Sequence, residues 1–187
     1  MGIRFSSLLL GLIVAVSIQA SPQIKHWQTE NGARVYFVPA PELAMIDITV
    51  AFDAGAARDG KQSGLALLTN AMLNEGAGGL NTDQIAIAFE DVGAQFGNSS
   101  QRDMAILSLR TLTDKAAFEP ALTMFSKVLT QPDFPLDSYQ RIQKQVLIGL
   151  QAEKQSPAAI SSRAFYGNLY GNHAYASMPS GNEQSVS

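Results

Sequence analysis

Gly64-Leu65-Ala66-Leu67-Leu68-Thr69-Asn70-Ala71-Met72-Leu73-Asn74-Glu75-Gly76 is the stretch on which the reading of this chain turns. Leu65, Leu68, Met72 and Leu73 recur at helical spacing, Ser63 stands in front as a candidate N-cap, and Gly76 supplies a stop. A helix is therefore predicted here. Asn81, with Gln84 three residues on, has the form of a capping box ahead of a second helix, whose buried stripe would be Ile85, Phe89 and Val92 and whose end would be Gly93.

Upstream, Asn31-Gly32 followed by Arg34 to Val38 reads as an opening hairpin, and Met45 to Phe52 alternates apolar and polar residues in the period of a half-buried strand. Downstream, Met104 to Leu109 reads as another strand. A third helix would bury Phe118, Ala121, Leu122, Phe125, Val128 and Leu129. A fourth follows Asp133-Phe134-Pro135 and stops at Ser156-Pro157, and a fifth covers roughly Ala158 to Leu169. Gly181 to Ser187 shows neither a helix nor a strand pattern. Strands and helices come in runs rather than in strict alternation, so the expected class is α+β, with helices packed on one face of a mixed or antiparallel sheet.

The 187 residues are 46% hydrophobic and 16% charged, enough for one domain-sized core and too apolar for a disordered polyelectrolyte. Thirteen Lys and Arg against 16 Asp and Glu give a net charge of −3 with no basic cluster, so no nucleic-acid surface is expected. With no cysteine, thiolate zinc sites and thiol nucleophiles are excluded. His26 and His173 are the only imidazoles, lie far apart in sequence, and are expected as ordinary surface or hydrogen-bonded side chains.

Met1 to Ala20 carries Arg4, then the apolar run Leu8 to Val16, then small Ala20 ahead of Ser21-Pro22. That is the pattern of a secretory signal peptide, with 21–187 as the mature domain. The run is well short of the about 20 apolar residues of a membrane span, so no stable span is expected after cleavage. A cysteine-free exported chain fits a bacterial periplasm.

The Gly64–Gly76 segment resembles the helix that bears the inverted zinc motif, H-x-x-E-H, in the pitrilysin/insulinase metallopeptidases, the family that includes mitochondrial processing peptidase. The flanking residues match. In that register Leu67, Asn70 and Ala71 occupy the positions of the first His, the Glu and the second His. Gln145 to Leu150 ahead of Ser156-Pro157 is similar to the surroundings of the third ligand, a Glu, and places Gly149 or a neighbour there. Leu67 and Ala71 can equally be a helix face packed in a core, and Glu75 is expected to be solvated.

Gly93 to Asp103 resembles the segment that forms a peptide-binding edge strand in active relatives, which makes Phe96, Gly97, Asn98, Ser99 and Ser100 the candidate substrate-binding residues, with an ordinary protected sheet edge as the alternative. Gly171-Asn172-His173-Ala174-Tyr175 and Gly181-Asn182-Glu183 resemble loops late in the family's first domain. The resemblance implies most of one of the two homologous domains of a full member, ending short at its C-terminal side. It further implies a non-catalytic subunit that holds no cofactor itself, pairs with a zinc-bearing peptidase subunit of the same family, and helps enclose unfolded peptides. The alternatives are a peptidase with a rearranged metal site and a structural subunit of a larger complex.

Overall fold

The structure, a computed structural model, describes residues 23–187. The signal-peptide reading of Met1–Ala20 therefore lies outside the described residues. The chain divides into two compact units after Leu43.

In the first unit, β1 (Lys25–Gln28) pairs antiparallel with β2 (Arg34–Phe37), with Trp27 opposite Val35. The hairpin turns at Asn31-Gly32, as its sequence predicts, and Gly32 has φ 88°, a conformation glycine adopts without steric cost.

In the second unit, β3 (Met45–Phe52) and β6 (Gln95–Ser100) flank β7 (Ala105–Leu112), all antiparallel, in the order β3-β7-β6. The strand predicted from Met45 has its expected bounds. β7 runs three residues further than Met104–Leu109 predicts, because Arg110, Thr111 and Leu112 are paired with Asp47, Ile46 and Met45. Two short strands, β4 (Gly76–Ala77) and β5 (Leu80–Asn81), make a separate small ribbon.

Alternation along β7 decides where the helices go. Ala105, Leu107, Leu109 and Thr111 are buried, while the residues between them face outward. Onto that inner face pack α2 (Thr82–Glu90), through Ile85 and Phe89, and α3 (Lys115–Thr130), through Ala121, Met124, Phe125 and Val128. The capping box predicted for α2 is present, with Gln84 N–H donating to Asn81 Oδ1 at 2.9 Å and Asn81 N–H donating to Gln84 Oε1 at 3.0 Å. The domain is α+β, with helices on one face of an antiparallel sheet.

A second apolar cluster joins α1 (Leu65–Met72) to α4 (Leu136–Glu153) through Leu68, Met72, Ile142 and Leu150. Val186 completes it. It is carried by α6 (Glu183–Val186), a single turn opened by a capping box in which Asn182 serves Ser185. The expectation that Gly181–Ser187 forms no regular element is thus corrected: one buried valine and one local cap are enough for a turn of helix, too short a pattern for periodicity to reveal. The last long helix, α5 (Pro157–Tyr170), buries none of its residues.

Glu75 also departs from expectation. Its side chain is 9% exposed, accepts a hydrogen bond from Thr82 Oγ1 at 2.9 Å, and pairs with Arg141 of α4, so it joins the end of the α1 region to α2 and α4. Burial with two partners replaces the solvation expected of a lone carboxylate. Replacing Glu75 by Gln leaves the Arg141 guanidinium without its countercharge. The expected result is a loss of about 1–3 kcal/mol, read as a lower urea midpoint with unchanged slope. An unchanged midpoint would contradict the role assigned to this pair.

Candidate functional site

Helix α1 has only eight residues, well below the length at which a helix is stable alone in water. Its N-terminus is capped from a distance. Ser63 makes no cap, Gly64 occupies the N-cap position with φ 96°, and the buried carboxylate of Asp59 accepts from Gly64 N–H (2.8 Å) and Ala66 N–H (2.9 Å). A side chain at position 64 would be strained in φ and would crowd Val186, its Cβ standing 3.1 Å from Val186 Cγ2. At the other end, Asn98 Nδ2 donates to the Asn70 carbonyl at 2.7 Å and to Asn74 Oδ1 at 3.2 Å, fastening the helix to β6.

The four positions that match the family's metal chemistry have different surroundings. Asn70 is buried, and Leu67 and Ala71 are half-buried, with Ala71 packed on the α1–α4 cluster. Gly149 is exposed on α4, and no atom outside its own helix backbone lies within 4 Å of where a Cβ would stand. This set does not fit zinc: an isobutyl group, a methyl and a hydrogen carry no lone pairs, and the one amide is a weak ligand. Nor could Asn70 take a proton from a water as a carboxylate does. The nearest acid in sequence, Glu75, is committed to Arg141 and Thr82. Among the described residues no three His, Asp or Glu side chains lie close enough to hold an ion.

The candidate peptide-binding residues lie on β6, an edge of the three-stranded sheet among the described residues. Their side chains divide between the two faces. Phe96 points inward, stacked on Phe89 (centroids 5.2 Å apart) and edge-on to Phe125 (6.2 Å), so it belongs to the core. Asn98 is held by α1. Gly97 lies opposite Ser108, and a Cβ there would stand 2.9 Å from Ser108 Oγ. Ser99 is exposed, and the Ser100 hydroxyl is buried without a partner.

The turn that follows β6 is anchored as well. Arg102 donates through NH1 to the Tyr175 and Ser177 carbonyls, both at 2.8 Å, and its guanidinium lies 4.2 Å from the Tyr166 ring centroid. Next to it, the Asp103 carboxylate accepts the Tyr175 hydroxyl, and this bond is the main reason that the phenol is held above its ordinary value, with burial adding to it. His173 accepts from Tyr175 N–H through Nδ1 at 3.2 Å, and His26 stacks on Tyr36 in the hairpin, 6.3 Å between ring centroids. Neither imidazole takes part in a cluster of ligands. Sequence reasoning did not single out Asp59, Arg141 or Arg102. No local pattern marks them, since each acts on residues 5 to 75 positions away.

Two outcomes follow from this geometry. Because the folded protein favours the neutral phenol, Tyr175 contributes stability that is complete below the ordinary tyrosine range and is lost as pH rises through its raised value. Absorbance titration at alkaline pH should therefore show one tyrosine ionising later than its fellows, and Asp103→Ala should move that step earlier; identical curves would refute the bond's influence. Separately, equilibrium dialysis against zinc should leave no stoichiometric ion in the α1 region, and a chelator should leave the thermal midpoint where it was.

Comparison with known proteins accords with this frame. Residues 35–178 match the family model described as Insulinase (Peptidase family M16). Curated proteins return no match. Among solved structures, a peptidase M16 inactive domain from Pseudomonas fluorescens is 45% identical, with a TM-score of 0.86 over 88% of this chain and 40% of that one. A protease from Helicobacter pylori, 18% identical, has the same fold at a TM-score of 0.78, again over 88% of this chain and 40% of that one. This chain thus spans about two fifths of the length of those proteins. With the family model covering most of its residues and the helix, edge strand and packing in place, the chain belongs to the insulinase family of peptidases.

Proposed function

We propose that this chain is a non-catalytic insulinase-family subunit that acts beside a zinc-bearing peptidase of the same family, helping to enclose and select unfolded peptides in a bacterial periplasm. One observation carries the reading: the frame of the metal helix is kept while Leu67, Asn70, Ala71 and Gly149 stand at the positions that would hold and use the ion. The Pseudomonas fluorescens protein described as an inactive domain supports it by likeness. The edge strand β6, with an exposed Ser99 and no strand on its outer side among the described residues, offers backbone groups to which an extended peptide could add. Zinc, in this reading, belongs to the partner.

A structural-subunit role has a specific observation in its favour. Helix α5 exposes Ile160, Phe165 and Leu169, each at more than half of its surface, a pattern that fits a chain made to be covered in an assembly.

Coexpression with an insulinase-family peptidase that retains H-x-x-E-H separates these readings. A companion should copurify with it and raise its rate on unstructured peptides, whereas a structural subunit should copurify without changing the rate. Purified alone, the chain should show no chelator-sensitive cleavage. Cleavage abolished by chelation and restored by zinc would overturn both and establish a rearranged site. Export is checked by the N-terminal sequence of the periplasmic form, expected to begin at Ser21.

A further inference from the structure

The loop between β1 and β2 carries Asn31-Gly32, the one place in the chain where asparagine precedes glycine. In such a pair the Gly32 amide nitrogen can attack Asn31 Cγ, because glycine puts no side chain in the path. The new C–N bond closes a five-membered succinimide, the Cγ–Nδ2 bond breaks, and ammonia leaves with the proton given up by the amide. Water then opens the ring at either carbonyl, giving aspartate or isoaspartate. Nothing is oxidised or reduced, and water is the one co-reactant. Both residues are exposed, so water reaches them.

The fold restrains both reacting groups, and Thr29 is the residue that does so. Gly32 N–H donates to the Thr29 carbonyl at 2.9 Å, so the attacking nitrogen is engaged in closing the turn. Asn31 Oδ1 accepts from Thr29 Oγ1 at 2.5 Å, the nearer of two acceptors in reach of that hydroxyl, the Ala33 carbonyl at 3.2 Å being the other. The same hydroxyl takes Ala33 N–H at 3.0 Å, and Gln28 Nε2 donates to the Gly32 carbonyl at 3.0 Å. The bond to Oδ1 also polarises the Asn31 amide, which favours attack. One neutral hydrogen bond changes a rate by about tenfold at most, whereas a nitrogen tied into the turn does not react until the turn opens. Restraint therefore outweighs activation, and the rate follows the fraction of time that this end of the hairpin is open.

We propose that Asn31 is a latent modification site, deamidating through a succinimide with Gly32, and that Thr29 keeps it closed in the folded chain. The product carries an added negative charge at the turn. In the isoaspartyl form the main chain is also one carbon longer between residues 31 and 32. That extra carbon separates Gly32 N–H from the Thr29 carbonyl and disturbs the neighbouring pairs, Gln28 with Arg34 and Trp27 with Val35. The proposal does not depend on the companion role, since it needs neither a partner nor a metal.

The full chain, its Thr29→Val and Thr29→Ser variants, and a synthetic peptide with the sequence Trp27–Tyr36 are incubated side by side in warm neutral buffer. Conversion of Asn31 is followed by peptide mass mapping, and isoaspartate is located by electron-transfer fragmentation. The peptide should convert fastest and the full chain at least about five times more slowly, since its turn is closed for most of the time. Thr29→Val, which loses the hydroxyl's bonds to Asn31 and Ala33, should convert about tenfold faster than the unaltered chain, while Thr29→Ser, which keeps the hydroxyl, should stay slow. Gln28→Ala, at an exposed strand position, removes one bond to the turn and should give a smaller rise, which keeps the test decisive if Thr29→Val does not fold. A full chain that converts as fast as the peptide, a Thr29→Val variant as slow as the unaltered chain, a Thr29→Ser variant as fast as Thr29→Val, or another asparagine converting ahead of Asn31 would each overturn the proposal.

Discussion

A two-turn helix cannot hold itself, and much of what is distinctive in this domain follows from how α1 is held. Asp59 satisfies two of its orphan N–H groups from five and seven residues upstream, while Asn98 reaches across from β6 to its last turn. Between these polar ties, Leu68 and Met72 sink into the cluster with Ile142, Leu150 and Val186. Fixing α1 fixes the segment on which metal chemistry would stand in this family, and it sets the edge strand at a defined distance from that segment. Both features survive here without the ligands.

That survival has a simple physical basis. Leu68 and Met72 carry most of the seating of the helix on α4, with Ala71 adding only a methyl at its margin. The ligand positions could therefore change without loss of the packing that positions them. The same separation explains why the helix frame is the more legible part of the family resemblance: its residues are constrained by burial, whereas ligand positions are constrained only while an ion is held. Asn70 is the exception, buried but polar, and it leaves a donor that nothing in the described residues satisfies.

The edge strand shows a related division. Phe96, one of the candidate peptide-binding residues, lies among Phe89 and Phe125, because period-two alternation puts it on the helix-facing side. A strand's residues never share one role. Any peptide adding along β6 would meet backbone and the outward side chains such as Ser99, while Phe96 and Asn98 hold the strand against the helices.

Local patterns by themselves determined the strand at Met45–Phe52, the capping box of α2, the buried Ala121, Phe125 and Val128 of α3 (though not Met124) and the α+β class, since alternation, caps and helical spacing are properties of neighbouring residues. Once the family resemblance set the register, residue identity also exposed the missing ligands, because side-chain chemistry is read directly from it. Tertiary structure alone decided that Asp59 rather than Ser63 caps α1, that Glu75 is buried against Arg141, and that Val186 closes a core. Each of these depends on groups distant along the chain, and only the folded chain brings such groups to within a few ångströms of one another.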